Sequence, residues 1–210
     1  TQLPKTYLHG FGFFRYENGL AFFHLCMGWV LGKILSQFYS VIQGPPGTGK
    51  TYTLLGIVKN LLGYSRNVEP LRLLICAPSN GAVDEIGRRL LRETSFGLIR
   101  MVRIGIQESI HPDLHHCMLD QVTWTMASEQ EGRSRKFGDI RQDLILEADV
   151  ILSTLASSQA RCMMPFRMGK GALPVLIVDE AGQCSEPELM LPLIYPSVSK
   201  IILIGKANNI

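Results

Sequence analysis

Gly44-Pro45-Pro46-Gly47-Thr48-Gly49-Lys50-Thr51 stands between a short apolar run, Tyr39–Gln43 (YSVIQ), and a longer amphipathic one, Lys50–Leu62, with Leu54, Ile57, Val58, Leu61 and Leu62 on one face. The first run reads as a strand buried on both faces and the second as a helix, so the glycines join strand to helix. The same alternation continues along the chain. Leu71–Ala77, Val150–Ser153, Leu173–Val178 and Lys200–Ile204 are further continuous apolar runs. Helix patterns fill the gaps: Gly81–Glu93, with a stripe of Val83, Ile86, Leu90 and Leu91, a shorter one over Asp139–Glu147, and one starting at Ser185-Glu186-Pro187-Glu188. In the last, Ser185 and Glu188 have capping-box spacing, and Pro187 falls where no amide donor is needed. Strands alternating with helices predict an α/β parallel sheet with helices on both faces.

The octapeptide fits GxxxxGK[ST] in full, between the strand and helix the motif needs. Its glycines let successive amides curl toward one anion, and the helix N-terminus adds partial positive charge. Gly44, Pro45, Pro46, Gly47, Thr48 and Gly49 thus form a phosphate cradle. Lys50 can bridge β- and γ-phosphates, and the Thr51 hydroxyl can ligate Mg²⁺. The expected cofactors are ATP and Mg²⁺.

Val175–Val178 runs straight into Asp179-Glu180-Ala181-Gly182-Gln183. In a doubly wound sheet, acids at the carboxyl end of a strand face the same crevice as the phosphate loop. Asp179 is placed in the Mg²⁺ shell, and Glu180 as the group that orients and deprotonates water.

Four segments in order, GPPGTGKT (44–51), APSNGAVDEI (77–86), ADVILSTLASS (148–158) and VLIVDEAGQCSEPELMLPL (175–193), resemble the first RecA-like lobe of superfamily 1 helicases, with the senataxin group as the likeness. Residues 102–122 also resemble the stretch which that group carries after its second strand. The resemblance covers about residues 40 to 205. It implies a P-loop NTPase fold, with Lys50, Glu180 and Gln183 catalytic and Gln183 sensing the γ-phosphate. It implies contacts to a single nucleic-acid strand from Pro78, Ser79, Asn80, Ser153 and Thr154. From the residues alone, local helix capping is the better explanation of Ser79 and Asn80. The implied partners are single-stranded RNA or DNA or an RNA–DNA hybrid, in the nucleus, with no oligomer. A ring-forming AAA-type ATPase shares the phosphate loop, but APSN and DEAGQ stand against it.

Composition agrees with a globular chain. Of 210 residues, 46% are apolar and 19% charged, which excludes a disordered chain, and the net charge of +3 permits a polyanionic partner without requiring one. Five scattered cysteines, none in a CxxC pair, argue against a disulfide scaffold and a zinc knuckle. The most apolar window, Leu20–Leu31, is too short to cross a membrane and contains His24. Arg88, Arg89, Arg92, Arg100 and Arg103 form one loose cationic group, and Arg133, Arg135, Lys136 and Arg141 another. Either could follow a nucleic-acid strand or simply solvate a helix face. His111, His115, His116 and Cys117 match no zinc spacing and read as ordinary loop residues. Glu129–Arg141 reads as an exposed insertion or loop.

The domain expectation is an aromatic-rich segment of no clear period over 1–39, holding ten of the seventeen aromatics, then the lobe over 40–210. Three departures from the family accompany it. Phe22-Phe23-His24 stand where the family places an adenine-reading Gln. Lys206 stands where it carries an acid. The second lobe, source of charge-compensating arginines, lies outside these residues. The chain starts at Thr1, and the match ends at Gly205-Lys206, which GGT-AAG, a splice-donor-like sequence, can encode. The expectation is a truncated gene model or alternative product of a larger protein with weak or absent turnover of its own, the alternative being a non-catalytic nucleotide- and nucleic-acid-binding fragment.

Overall fold

A computed structural model describes residues 8–9, 11–15, 36–65, 71–92, 99–129 and 136–206, with backbone alone for 8–9, 11–15 and 64–65. Phe22-Phe23-His24, Arg133, Arg135 and 207–210 lie outside the described residues. Eight strands form one sheet: β1 (Leu8–His9), β2 (Phe11–Arg15), β3 (Tyr39–Gln43), β4 (Leu73–Ala77), β5 (Met101–Arg103), β6 (Val150–Thr154), β7 (Val175–Val178) and β8 (Lys200–Gly205). Their order is β1-β2-β3-β8-β7-β4-β6-β5. Every pairing is parallel except β1 with β2. The five apolar runs of the sequence are five of these strands, and β2 of the aromatic-rich segment pairs with β3 in the same sheet.

Burial on both faces follows from the strand period. Leu73, Ile75 and Ala77 pack with Leu54, Ile57, Val58 and Leu61 of α1 (Lys50–Ser65) and Val83, Ile86 and Leu90 of α2 (Asn80–Arg92). Leu74 and Cys76 point the other way, onto Leu119, Ile145, Phe166 and Tyr195. Those come from α3 (Leu119–Glu129), α4 (Phe137–Glu147), α5 (Met164–Arg167) and the loop before β8. The predicted stripe of α2 holds except at Leu91, which is 43% exposed.

Of the Glu129–Arg141 stretch, residues 130–135 lie outside the described residues, and both its ends are helical. α3 reaches Glu129 and α4 already begins at Phe137, two residues before the predicted helix start. Trp124 stacks at a tilt on Phe137, ring centroids 5.0 Å apart, and Arg141 Nη2 lies 2.8 Å from Asp120 Oδ1. These contacts join the two helices and carry helix into a stretch whose composition reads as loop. The helix after Ser185 is short, α6 (Glu186–Met190), but its capping box forms. The Glu188 carboxylate accepts from the Ser185 amide at 2.9 Å and hydroxyl at 2.8 Å, which holds it below the usual carboxylate range.

Because the strands run parallel, their carboxyl ends share one edge. Following the sheet order, Gly44, Lys206, Asp179, Pro78 and Leu155 stand along that edge.

Candidate functional site

The phosphate loop folds on itself. Gly47 and Gly49 take φ of 76° and 83°, a region that side-chain-bearing residues rarely occupy. Thr48 Oγ1 donates to the Pro45 carbonyl at 2.8 Å, and Lys50 Nζ arches back to donate to the carbonyls of Gly44 (2.9 Å) and Pro45 (2.7 Å). The Gly44 amide donates to Gly205 O at 3.1 Å, tying the loop to the end of β8.

At the end of β7, Asp179 is 6% exposed. Its amide donates to Cys76 O, and its Oδ1 accepts from the Glu180 amide, each at 2.9 Å. Burial pushes its carboxyl above the ordinary range; the Glu180 amide and the charges of Lys50 and Arg89 pull the other way. Glu180 sits at φ 54°, ψ 31°, alone among the described non-glycine residues in having positive φ. Such strain collects at functional sites. It turns the chain into the tight turn Ala181–Gln183, where the Gln183 amide donates to Glu180 O at 2.8 Å.

The loop and Glu180 meet at one cavity of about 420 Å³. Pro46, Gly47, Gly49, Lys50, Thr51, Glu180 and Gln183 line it. Gly44, Pro45, Thr48 and Asp179 are not among its lining residues. Lys206, which stands where the family carries an acid, lines it too, as do Tyr52, Arg89, Gly182 and Gly205, which were not assigned to this site from the sequence. Arg89 sits within a run of cations, and nothing local distinguishes it from Arg88.

The strand-contact residues divide. Ser79 Oγ accepts from the Ala82 amide at 3.2 Å, so it caps α2. Thr154, half-buried at the end of β6, accepts from the Ser157 amide at 3.1 Å and donates to the Ser157 hydroxyl at 2.9 Å. Pro78 and Asn80 are partly exposed beside them, with Asn80 Oδ1 accepting from Arg103 Nη2 at 2.9 Å. Ser153 differs from Thr154: it is fully buried, its hydroxyl 3.5 Å from Cys76 Sγ, on the same face of the sheet as Leu74 and Cys76.

Most of the loose cations are ion-paired. Arg88 lies 2.8 Å from Asp113, Arg89 2.6 Å from Glu85 and Arg100 2.9 Å from Asp149, while Arg103 is buried against Asp84. The Arg88 guanidinium holds the Asp113 carboxyl below its usual range. Among the described residues no group of three or more His, Cys, Asp or Glu could hold a metal, and no helix is long and apolar enough to cross a membrane. His111 instead accepts from the Asp113 amide at 3.2 Å.

A family model described as AAA domain (AAA_11) matches residues 29–136 and 123–207. Regulator of nonsense transcripts 1 of Dictyostelium discoideum is 28% identical over 197 residues, covering 83% of this chain and 14% of that protein. ATP-dependent helicase NAM7 of Saccharomyces cerevisiae is 28% identical, with 83% of this chain and 19% of that one covered. Probable helicase senataxin of Homo sapiens is 27% identical, covering 81% and 9%. The chain thus spans 9–19% of the length of these relatives. A solved structure of a nuclease-deletion mutant of the Type ISP restriction-modification enzyme LlaGI aligns with TM-score 0.56 at 14% identity, over 90% of this chain and 17% of that one, which shows the fold alone.

Proposed function

The chain belongs to the AAA_11 family of AAA domains, and from that premise we propose that it is the ATP-binding lobe of an ATP-dependent nucleic-acid helicase, with residues 40–210 forming the lobe. The observation that carries this reading is the shared cavity, in which Lys50 and Thr51 of the phosphate loop face Glu180 and Gln183 beyond β7. The names of the relatives, an ATP-dependent helicase and senataxin among them, support it.

In this reading the loop amides and Lys50 hold the β- and γ-phosphates of ATP. Thr51 and Asp179 offer the hard oxygen donors that suit Mg²⁺, which is commonly held by one or two protein oxygens together with substrate phosphates. Bound there, Mg²⁺ would neutralise charge on the β- and γ-oxygens. Glu180, held aside by its left-handed backbone, orients the attacking water and accepts its proton. Gln183, one turn later, reads the γ-phosphate. β7 and β4 are neighbours, and the Asp179 amide bonds to Cys76 O just before Pro78-Ser79-Asn80, so nucleotide and strand sites are a few residues apart along one edge. The strand is RNA, DNA or an RNA–DNA hybrid, and the setting is nuclear or cytoplasmic.

A binding-only reading has one specific support, Lys206 lining the cavity where the family carries an acid. An ATPase assay with and without single-stranded RNA separates the two. The helicase-lobe reading predicts turnover that RNA raises and Glu180→Gln lowers by roughly 10²-fold or more. Nucleotide binding without any RNA-stimulated turnover favours the binding module.

A further inference from the structure

We infer that Arg89 is a phosphate-contacting residue of the nucleotide cavity and meets the outermost phosphate of a bound nucleoside triphosphate; the inference rests on the nucleotide reading above. Arg89 lies on α2, outside the phosphate loop and the acidic turn, yet its side chain lines the same cavity as Lys50, Thr51 and Glu180. It shares that cavity with Glu180 and Gln183, the residues that the reading above places at the γ-phosphate.

Its present partner is a weak holder. Glu85, one turn earlier on α2, lies 2.6 Å from Nε, but both side chains are nearly half exposed, and exposed helical pairs contribute little. A phosphate offers the planar guanidinium a better match through paired hydrogen bonds. The neighbouring Arg88 is different: Asp113 holds it, and it does not line the cavity. The alternative role, contact with a nucleic-acid strand, fits Arg89 poorly. At 1.5 Å per residue it stands about 14 Å along the helix from Asn80, where the strand contacts are placed.

The test is a fluorescence titration of the full chain with labelled ATP and labelled ADP in the presence of Mg²⁺. Wild type, Arg89→Ala, Glu85→Gln and Lys50→Ala are compared, with circular dichroism to confirm folding. Arg89→Ala is expected to weaken ATP about tenfold or more and ADP less than about threefold, in line with loss of one charge-assisted bond to the last phosphate. Glu85→Gln, which frees the guanidinium, is expected to tighten ATP in wild type and not in the Arg89→Ala background. If Arg89→Ala changes neither ligand while Lys50→Ala weakens both, Arg89 is no phosphate contact and the cavity reading survives. Equal losses for ATP and ADP overturn the assignment to the outermost phosphate. If Lys50→Ala changes nothing, the nucleotide reading itself fails.

Discussion

Arg103 and Asp84 form an ion pair closed to solvent: the guanidinium is 0% exposed and its Nε stands 2.9 Å from Asp84 Oδ1. The same guanidinium donates to Asn80 Oδ1 at 2.9 Å and to the Ile104 carbonyl, and Asp84 Oδ2 accepts from the His111 amide at 2.8 Å. One buried cation therefore ties together the start of α2, the end of β5 and the segment after it. Asp84→Ala leaves that charge buried without its counterion and is expected to cost about 3–5 kcal/mol. Urea denaturation measures it; a loss under about 1 kcal/mol would mean that the pair contributes little.

Gly87 faces inward from α2. A Cβ there would meet Leu152 Cδ1 at 2.9 Å and Leu114 Cδ1 at 3.0 Å, whereas one at Gly81 meets nothing within 4 Å. Gly87→Ala is expected to destabilise by about 1–3 kcal/mol through overpacking. Gly81→Ala is expected to stabilise by about 0.4–1 kcal/mol by restricting the unfolded chain. Thermal melts of the two variants should move in opposite directions.

Ser153 and Thr154 are adjacent, but only Thr154 reaches the edge of the sheet. Ser153→Ala should change the affinity for a labelled single-stranded RNA less than about twofold, since a side chain sealed in the core makes no direct phosphate contact. Fluorescence anisotropy decides; a large loss with unchanged stability would place Ser153 on the strand after all.

The described cysteines are poor nucleophiles. Burial pushes Cys76 up to about 12 and Cys117 and Cys184 up to about 11, and it raises Cys162 as well. The thiolate is the reactive form, and raising the pKa lowers its fraction at any pH below that value. At pH 8 Ellman's reagent should react rapidly with at most one thiol per native chain, and with all five after denaturation. Rapid reaction of two or more in the native state would contradict these environments.

The sequence made the central strands legible because each is continuously apolar, as burial on both faces requires. It concealed β5, three residues long with Arg103 at its end, because a charge there reads as surface until Asp84 is brought to it by the fold. α3 escaped for the opposite reason. Its buried residues are few, Leu119 and Thr123, and Trp124 is 65% exposed, so no stripe marks it. In the site, the loop and the acids were legible as motifs, each with its own chemistry. The left-handed Glu180 was not, since no glycine announces it, and Arg89 joins the cavity only through the packing of α2 beside α1.

Amide hydrogen exchange on the full chain, with and without Mg²⁺-ATP, tests most directly whether one triphosphate sits between the loop and the end of β7. Residues 44–52 and 179–183 should gain protection together, over the same range of ATP concentration. Protection of the loop alone, or of neither segment at saturating ATP, would contradict a shared site.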